Sequence, residues 1–476
     1  VDATGVAVIM SEEEEEKMEQ KMHRRWLCIG SCCFLIVVSV VVPVVIVVLG
    51  GEPSERPLVP TAVPSEFPTT IPTLSPTTDR LKSVIEDLSS VSGTDVFLDL
   101  ASPQYRAALY VSDDDELALP VGSARFVQRY LLAVFYFALG GDNWVQCGRN
   151  DPNCGGDPDD TTWLLGSGSE CTWLGVACNG SGEVRQIFFP RVRGNGLVGE
   201  FPYEVSLLSR LETLILQSNF IHGTIPTFLG ALTNLKSLVL LNNRFFGSIP
   251  SEIFTGASQL QVLHLGDNSL NGTIPAELSN LQLDDVRFER NSLTGTVPIG
   301  VGSIPGLRIV ELQENQLTGP LPIEFFNNPS ITRLRLNDNE FTGRLPESIG
   351  QMRDVEDLRL QFNNLEGTLP AELFTLPTLT TLDLESCNLV GGLSEDFYLL
   401  NGTIRNLVLS NNGFTGPIPQ AFDLLTSLNS LILHGNDLSG TISTILCQEK
   451  GEQFSDLRNL TAPVSVTCSC CDLQAR

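Results

Sequence analysis

From residue 184 onward, apolar and polar residues alternate in a pattern that repeats every 23 to 25 residues. Apolar residues fill the first, fourth and sixth positions, and a Gly-x-Ile/Leu-Pro sequence closes most repeats. One repeat cannot bury its apolar side, whereas stacked repeats share a continuous core. The pattern therefore predicts an array of about eleven turns over residues 184–446. The turns begin at Val184 (with looser spacing), Leu211, Leu235, Leu260, Leu283, Leu307, Ile331, Val355, Leu379, Ile404 and Leu428.

The ninth position of the repeat is polar, although it should point inward. Asparagine fills it in nine turns: Asn219, Asn243, Asn268, Asn291, Asn315, Asn339, Asn363, Asn412 and Asn436. A buried amide can bond to the backbone of adjacent turns, which satisfies polar groups where the chain bends. Cys387 takes this position in one turn, and we expect a buried free thiol there rather than a nucleophile.

A second apolar pattern lies near the N-terminus. Residues 27–49 form an uncharged run of 23 residues, and a membrane helix needs about 20. Three basic residues, His23, Arg24 and Arg25, precede the run, which predicts a cytoplasmic N-terminus. We expect an uncleaved signal anchor that makes residues 1–26 a short acidic cytoplasmic tail. A signal peptide cleaved near Gly50 is the alternative.

Between this segment and the repeats, the composition changes twice. Residues 50–78 are rich in Pro, Ser and Thr, which predicts an extended stalk. Residues 79–183 should form an N-terminal cap, with helices over residues 79–88 and 124–139 and a stop at the following glycine pair.

Eight of the twelve cysteines bracket the array, which predicts disulfide-closed caps in an oxidising compartment. The C-terminal cap is expected over residues 447–476. The disulfide candidates are Cys147, Cys154, Cys171 and Cys178 before the array, and Cys447, Cys468, Cys470 and Cys471 after it. Four N-glycosylation sequons follow the apolar run, at Asn179, Asn271, Asn401 and Asn459.

Charge excludes several functions. The net charge is -27, from 56 acidic and 29 basic residues, so nucleic acid is a poor partner.

The aspartates within residues 151–160 lack the full spacing of a calcium loop, and a solvated loop is the favoured interpretation. His264 and His434 are isolated, so we expect no metal and no cofactor. The absence of a nucleophile–base pair in the sequence predicts a protein that is not an enzyme.

The motif LxxLxLxxNxLxGxIP, preceded by CTWLGVAC at residues 171–178, resembles the plant-type extracellular leucine-rich-repeat family. That family includes receptor-like proteins, receptor kinases and polygalacturonase inhibitors, and the chain also resembles membrane-anchored algal leucine-rich-repeat proteins. The resemblance spans roughly residues 123–471. It implies an α/β repeat fold, a right-handed solenoid with a parallel concave β-sheet. The sequence contains no glycine-rich loop, HRD or DFG segment of a kinase.

In that fold, the second, third, fifth, seventh and eighth residues of each turn should face solvent on the concave side. The fifth positions are charged in the middle turns and apolar at the ends. Arg333 and Arg335 resemble the arginine pair with which some plant receptors hold a peptide carboxylate, and mutual neutralisation of the charges is the alternative. The candidate ligand-binding residues are Arg287, Glu311, Arg333, Arg335, Arg359, Phe362 and Asp383.

These features predict a receptor-like protein of the plasma membrane or another secretory-pathway membrane, with its repeats extracellular or lumenal. We expect it to bind an extracellular peptide, protein or glycan and to signal through a membrane co-receptor. An inhibitor of extracellular hydrolases and a structural adhesion or wall-tethering protein are the alternatives, because fold alone does not choose among binding roles.

Overall fold

The computed structural model describes residues 79–148, 154, 162–164, 168–189, 194–443, 446, 459–463 and 465–467. They belong to one compact unit, Leu74–Arg476. The predicted tail, membrane span and stalk, and the four C-terminal cysteines, lie outside the described residues. No helix in the described part of the chain is both long enough and apolar enough to span a bilayer.

Three helices form the N-terminal region before the array. They are α1 (Asp79–Ser92), α2 (Pro103–Leu109) and α3 (Ala124–Ala138). The Ser123 hydroxyl caps α3 by accepting the Phe126 N–H, and Gly140 follows its end at a φ of +71°. The helices predicted over residues 79–88 and 124–139 are thus confirmed. A 3₁₀ turn, Asp95–Leu98, and a π turn, Tyr110–Asp114, lie between these helices, and two further 3₁₀ turns, Gly141–Asn143 and Glu170–Thr172, follow α3.

The core of this region is aromatic and is closed by two disulfides, Cys147–Cys154 and Cys171–Cys178. Trp163 is buried against Trp144 and Trp173, with ring centroids 5.1 and 5.2 Å away. The Trp163 indole N–H donates to the Leu174 carbonyl. The aromatic rings thus fasten the short disulfide loop to α3, which seals the first end of the array.

A buried ion network holds the same region together. The Arg129 guanidinium on α3 is fully buried and donates to both Asp115 oxygens at 2.7 and 2.8 Å. It also donates to Glu170 at 3.2 Å and to the Tyr110 hydroxyl at 2.9 Å. A buried charge is tolerated only when it is paired and hydrogen-bonded, and this one is.

The array consists of short strands joined by turns. In chain order the strands are β1 (Val176–Cys178), β2 (Val184–Phe188), β3 (Val198–Gly199), β4 (Thr213–Ile215), β5 (Phe220–Thr224), β6 (Ser237–Val239), β7 (Arg244–Ser248), β8 (Val262–His264), β9 (Ser269–Thr273), β10 (Asp285–Arg287), β11 (Ser292–Gly295), β12 (Ile309–Glu311), β13 (Gln316–Pro320), β14 (Arg333–Arg335), β15 (Glu340–Arg344), β16 (Asp357–Arg359), β17 (Asn364–Glu366), β18 (Thr381–Asp383), β19 (Val390–Gly392), β20 (Asn406–Val408), β21 (Gly413–Pro417), β22 (Ser430–Ile432), β23 (Asp437–Thr441), β24 (Asn459–Thr461) and β25 (Val466–Thr467).

Two kinds of sheet run along the array. The concave sheet has thirteen strands in the order β1-β2-β4-β6-β8-β10-β12-β14-β16-β18-β20-β22-β24, parallel except for β1. The lateral strands form an eight-stranded group from β3 to β17 and a four-stranded group from β19 to β25. This arrangement confirms the predicted leucine-rich-repeat solenoid with its parallel sheet and N-terminal disulfides.

Short helical segments follow the proline of most turns and stack along the array. They are Tyr203–Leu207, Thr227–Ala231, α4 (Glu252–Gly256), Ala276–Asn280, α5 (Ile299–Gly302), α6 (Ile323–Phe326), Glu347–Gln351, Ala371–Thr375, Glu395–Leu400 and Gln420–Leu424.

The ninth-position amides connect each turn to its neighbour, as predicted. Asn339 accepts the Leu317 N–H at 3.0 Å and donates to the Leu312, Leu336 and Asn337 carbonyls at 3.0 to 3.2 Å. Cys387 is a buried free thiol, also as predicted, and its Sγ lies within hydrogen-bonding distance of the Leu360 and Glu385 carbonyls. The lateral sheet is interrupted between β17 and β19, at this same turn.

The eighth residue of most turns adopts a left-handed backbone. Its φ lies between +50° and +60° although it is not glycine, at Ser218, Asn242, Asp267, Arg290, Glu314, Asp338, Phe362, Ser386 and Asn411. L residues rarely adopt this conformation, so the fold itself imposes it.

The array extends further than the repeat pattern predicts. Strand β24 pairs with β22 and β25 pairs with β23, both within the range expected to form the C-terminal cap. Part of that range therefore continues both sheets.

Candidate functional site: the concave face

The concave sheet aligns the fifth positions of successive turns into one column. Strand register places Arg287 beside Glu311, Glu311 beside Arg335, Arg335 beside Arg359, and Arg359 beside Asp383. Adjacent strands are about 4.8 Å apart, so long side chains reach across several turns. The structure thus aligns five of the seven predicted site residues in one column, and Arg333 lies beside that column on the strand that carries Arg335.

The expectation that all fifth and seventh side chains face solvent is wrong. Glu311 and Arg335 are only 4% and 9% exposed, and the seventh residues Glu289, Gln313 and Asn337 are each 7% exposed. The physical reason is that these chains are long compared with the strand spacing. They lie along the sheet and cover each other instead of projecting from it.

Arg333 and Arg335 lie side by side on β14, and carboxylates from the two neighbouring turns contact them. Arg335 donates to Asp357 Oδ2 at 2.8 and 2.9 Å. Both arginines place Nη1 3.4 Å from Glu311 Oε1, and Arg359 Nε lies 2.8 Å from Asp357 Oδ1. The charges of the predicted carboxylate clamp are therefore already compensated within the protein, and the clamp itself stays a prediction.

Asp357 organises this cluster, although the sequence argument did not single it out. Burial alone would raise the pKa of Asp357, but the charges and hydrogen bonds of Arg335 and Arg359 hold it below its usual value. The signal for it was present, because Asp357 occupies the third position beside two turns that carry arginine at the fifth.

A second ion cluster is centred on Asp285, three turns before Asp357. Arg287 binds both oxygens of Asp285 at 3.0 and 3.1 Å, and His264 Nε2 lies 3.0 Å from Oδ2 of the same carboxylate. Burial by itself raises the pKa of Asp285, but its partners His264 and Arg287 outweigh that effect and lower it to about 2. This carboxylate is therefore ionised at all physiological pH values.

Two other acids on the same face behave in the opposite way. Burial, with repulsion from Glu385, raises the pKa of Asp383 to about 6, despite the hydrogen bond from the Glu385 N–H. Burial and the nearby charge of Glu311 also raise the pKa of Glu289 well above its usual range. The concave face thus carries acids whose ionisation responds to their surroundings.

Phe362 is the exposed apolar residue of this charged region. It occupies the left-handed eighth position of its turn, and 47% of its surface is exposed. Exposed aromatic residues surrounded by polar groups are typical anchors at protein interfaces. Phe362 thus exposes apolar surface beside the charged column.

Two of the four sequons lie away from the concave strands, and a third lies at the first end of the concave sheet. Asn271 is exposed on lateral strand β9, and Asn401 is exposed after a 3₁₀ turn. Asn179 follows β1 and donates to Glu183 at 2.8 Å. Asn459 begins β24, and its side chain lies outside the described part of the protein. Glycans at the first three positions would leave the middle of the concave sheet uncovered.

Within the described residues, no group of three or more His, Cys, Asp or Glu side chains is placed to hold a metal ion. The acid-rich segment at residues 151–160, which raised the calcium question, is almost entirely outside that part of the chain.

Comparison with known proteins supports the repeat assignment. The family described as "Leucine rich repeat" matches residues 233–293, and a second leucine-rich-repeat family matches residues 330–352, 378–400 and 403–425. A segment of 56 residues is 39% identical to the receptor kinase-like protein Xa21 of Oryza sativa subsp. japonica, which is 11% of this chain and 5% of that protein.

Two solved structures extend the likeness. PEPR1–AtPEP1 matches with a TM-score of 0.55 and 28% identity, over 64% of this chain and 48% of that one. The Arabidopsis receptor kinase HAESA, in complex with the peptide hormone IDA and the co-receptor SERK1, matches with a TM-score of 0.53 and 27% identity, over 62% and 53%. The chain thus spans about half of these structures. Together these matches confirm the resemblance to plant-type extracellular leucine-rich repeats.

Proposed function

We propose that this protein is a receptor-like recognition protein that binds an extended peptide or protein segment along the middle of its concave face. The contact residues are those expected from the sequence: Arg287, Glu311, Arg333, Arg335, Arg359, Phe362 and Asp383. The role is recognition rather than catalysis. A membrane co-receptor transmits the signal, and residues 27–49 anchor the chain with its repeats outside.

The observation that carries this proposal is the composition of the concave face. Charged side chains fill the fifth position of five consecutive turns, from Arg287 to Asp383, and exposed Phe362 lies within the same stretch. Ordered charges around an aromatic anchor give both affinity and selectivity. Likeness to HAESA, which the solved structure shows with a peptide hormone and a co-receptor, favours a peptide as the ligand.

The test compares two exposed phenylalanines on different faces. The full chain, reconstituted in nanodiscs, is screened against synthetic twelve-residue peptides with free C-termini and against an array of cell-wall oligosaccharides. Phe362→Ala should weaken peptide binding at least tenfold, because it removes the concave anchor. Phe246→Ala removes a side chain that is 52% exposed on lateral strand β7, and it should leave binding unchanged.

Two outcomes would overturn the proposal. If the protein binds oligosaccharides and no peptide, recognition of a wall polymer replaces it. If both phenylalanine variants weaken peptide binding equally, the concave face is not the binding surface. Circular dichroism melts of each variant check that the loss does not come from unfolding.

A further inference from the structure

Glu289 occupies an unusual place on the concave face. It is the seventh residue of its turn, and the equivalent residue of the preceding turn is Gly266. A methyl group built on Gly266 would overlap the Glu289 carboxyl group, so the carboxyl lies in the space that a side chain would otherwise fill. The backbone of Gly266 is not left-handed, so glycine is not required there for a turn. Its role is to leave room for the Glu289 carboxyl group.

The seventh positions of three successive turns carry oxygen atoms that accept no hydrogen bond from the described residues. They are Glu289 Oε2, Gln313 Oε1 and Asn337 Oδ1, and each residue is only 7% exposed. Buried acceptors are normally satisfied. With adjacent turns about 4.8 Å apart, these oxygens form a row that fits a ligand bearing several N–H donors.

The nearby cations of the protein are engaged elsewhere. Arg287 binds Asp285, while Arg333 and Arg335 lie against Glu311. Arg290 bridges to the next turn with its Nε 2.9 Å from the Glu314 carboxylate. The charge of Arg287 lowers the pKa of Glu289, but burial and the charge of Glu311 raise it by more, and Glu289 Oε2 accepts no hydrogen bond from the described residues.

The row does not have the arrangement of a metal site, because no described group of three or more His, Cys, Asp or Glu could hold a metal ion. A guanidinium or ammonium group on an unbranched stem carries the donors that these buried oxygens lack, and it reaches them by displacing the neighbouring side chains. A guanidinium also offers five donors in a fixed fork, enough to serve Glu289 and Gln313 together.

We propose that Glu289, with the acceptor oxygens of Gln313 and Asn337, forms a subsite for a basic side chain of the bound peptide. This subsite rests on the proposed function, since it selects among peptides that the concave face binds. It also places a preference for positive charge beside the arginine-rich turns, where the sequence alone suggests only a preference for carboxylate.

Binding at this subsite is coupled to release of the proton from the Glu289 carboxyl group. Burial and the charge of Glu311 favour the protonated form of Glu289 in the free protein, and a bound cation favours the ionised form. Peptide binding should therefore release a proton and strengthen as pH rises. The titratable and charged groups in the concave segments of the three turns around Glu289 are His264, Asp267, Asp284, Asp285, Arg287, Arg290, Arg308, Glu311 and Glu314.

Hexa-arginine and its neutral isostere hexacitrulline are the probes, titrated calorimetrically into the full chain in nanodiscs at 150 mM salt. Two buffers of different ionisation enthalpy report the proton released. Hexa-arginine should bind at least tenfold more tightly than hexacitrulline and release a proton. Glu289→Gln should remove both effects. Glu314→Gln removes the same charge at a side chain that is 45% exposed, and it should change affinity less than threefold.

Gly266→Ala tests the same site without altering charge. Its methyl group should push the Glu289 carboxyl towards water, where the carboxyl ionises before the peptide arrives, so the proton release should disappear. If this variant does not fold, Glu289→Asp replaces it, because the shorter chain withdraws the carboxyl from the row and should lower affinity at least fivefold.

The outcomes separate the two proposals. Equal losses in Glu289→Gln and Glu314→Gln would show diffuse attraction to an acidic protein and overturn the subsite, while peptide binding that depends on Phe362 would survive. The opposite result is also possible. If hexa-arginine binding requires Glu289, but Phe362→Ala does not change the affinity for the other peptides, the subsite is retained and the proposed function is overturned.

Discussion

The ninth-position asparagines bond each turn to its neighbour, and we call this set the asparagine ladder. Its contribution to stability can be tested within this chain, because Cys387 occupies a position that asparagine fills in nine other turns. The two reciprocal substitutions are Asn339→Cys and Cys387→Asn. In the native protein, Asn339 Oδ1 accepts the N–H of Leu317 at 3.0 Å, whereas the Cys387 thiol offers no comparable acceptor to Leu365 one turn earlier. Asn339→Cys places a thiol where asparagine normally bonds two turns together, and Cys387→Asn places an amide where the native chain has a thiol.

The magnitude follows from the bonds involved. In Asn339→Cys, the buried Leu317 N–H loses its acceptor, which costs about 1–3 kcal/mol, and a weaker thiol donor replaces the amide, which costs about 1 kcal/mol. We expect a loss of about 2–4 kcal/mol in local stability. Cys387→Asn adds an acceptor for Leu365, and we expect a gain of about 1 kcal/mol.

Amide hydrogen exchange is the appropriate assay, because a repeat array opens locally and a single unfolding free energy would average many turns. Since about 1.4 kcal/mol is a factor of ten, exchange at Leu317 should accelerate roughly 30-fold or more in Asn339→Cys. Exchange at Leu365 should slow about fivefold in Cys387→Asn. Unchanged exchange at Leu317, or equal acceleration in every turn, would refute this account of the ladder.

Three further predictions concern charge and the N-terminal region. Because the pKa of Asp383 rises from 3.8 to about 6 on folding, the folded state binds more protons, so stability should fall by up to about 3 kcal/mol as pH rises through this range. Asp383→Asn should flatten that part of a melting-temperature profile. Arg129→Met should cost about 3–5 kcal/mol by leaving buried acids unpaired, and adding Asp115→Asn should recover part of the loss in thermal melts. Replacing Cys171 and Cys178 by serine should cost about 2–3 kcal/mol, seen as faster exchange in the N-terminal region but not in the middle turns.

The sequence predicted the fold well because the repeat determines it. Periodic apolar positions and ninth-position amides specify one strand per turn, and the concave strands lie where these positions place them. Strand β24 (Asn459–Thr461) escaped prediction because its segment lacks the spacing of the repeat. The break in the lateral sheet was equally hidden, although Cys387 marked the turn where it occurs.

The candidate site was only partly predictable. Register follows from the repeat, so the alignment of Arg335 with Arg359 was foreseeable. Which partner each charge takes depends on side-chain conformation, and so the central role of Asp357 was not. The burial of Glu289 depends on Gly266, which lies 23 residues earlier in the preceding turn. The sequence of one repeat alone does not show this dependence.

The left-handed eighth residue has a consequence for how this protein can change over evolution. Its backbone cost, roughly 1–2 kcal/mol per residue, is similar for most residues other than glycine and β-branched ones. Serine, asparagine, aspartate, arginine, glutamate and phenylalanine all occupy it here. A substitution at this position therefore alters the surface chemistry beside the concave strands while the strands and the core keep their geometry. Under the proposed function, ligand preference can therefore drift one turn at a time, and each change can be neutral for folding before it matters for recognition.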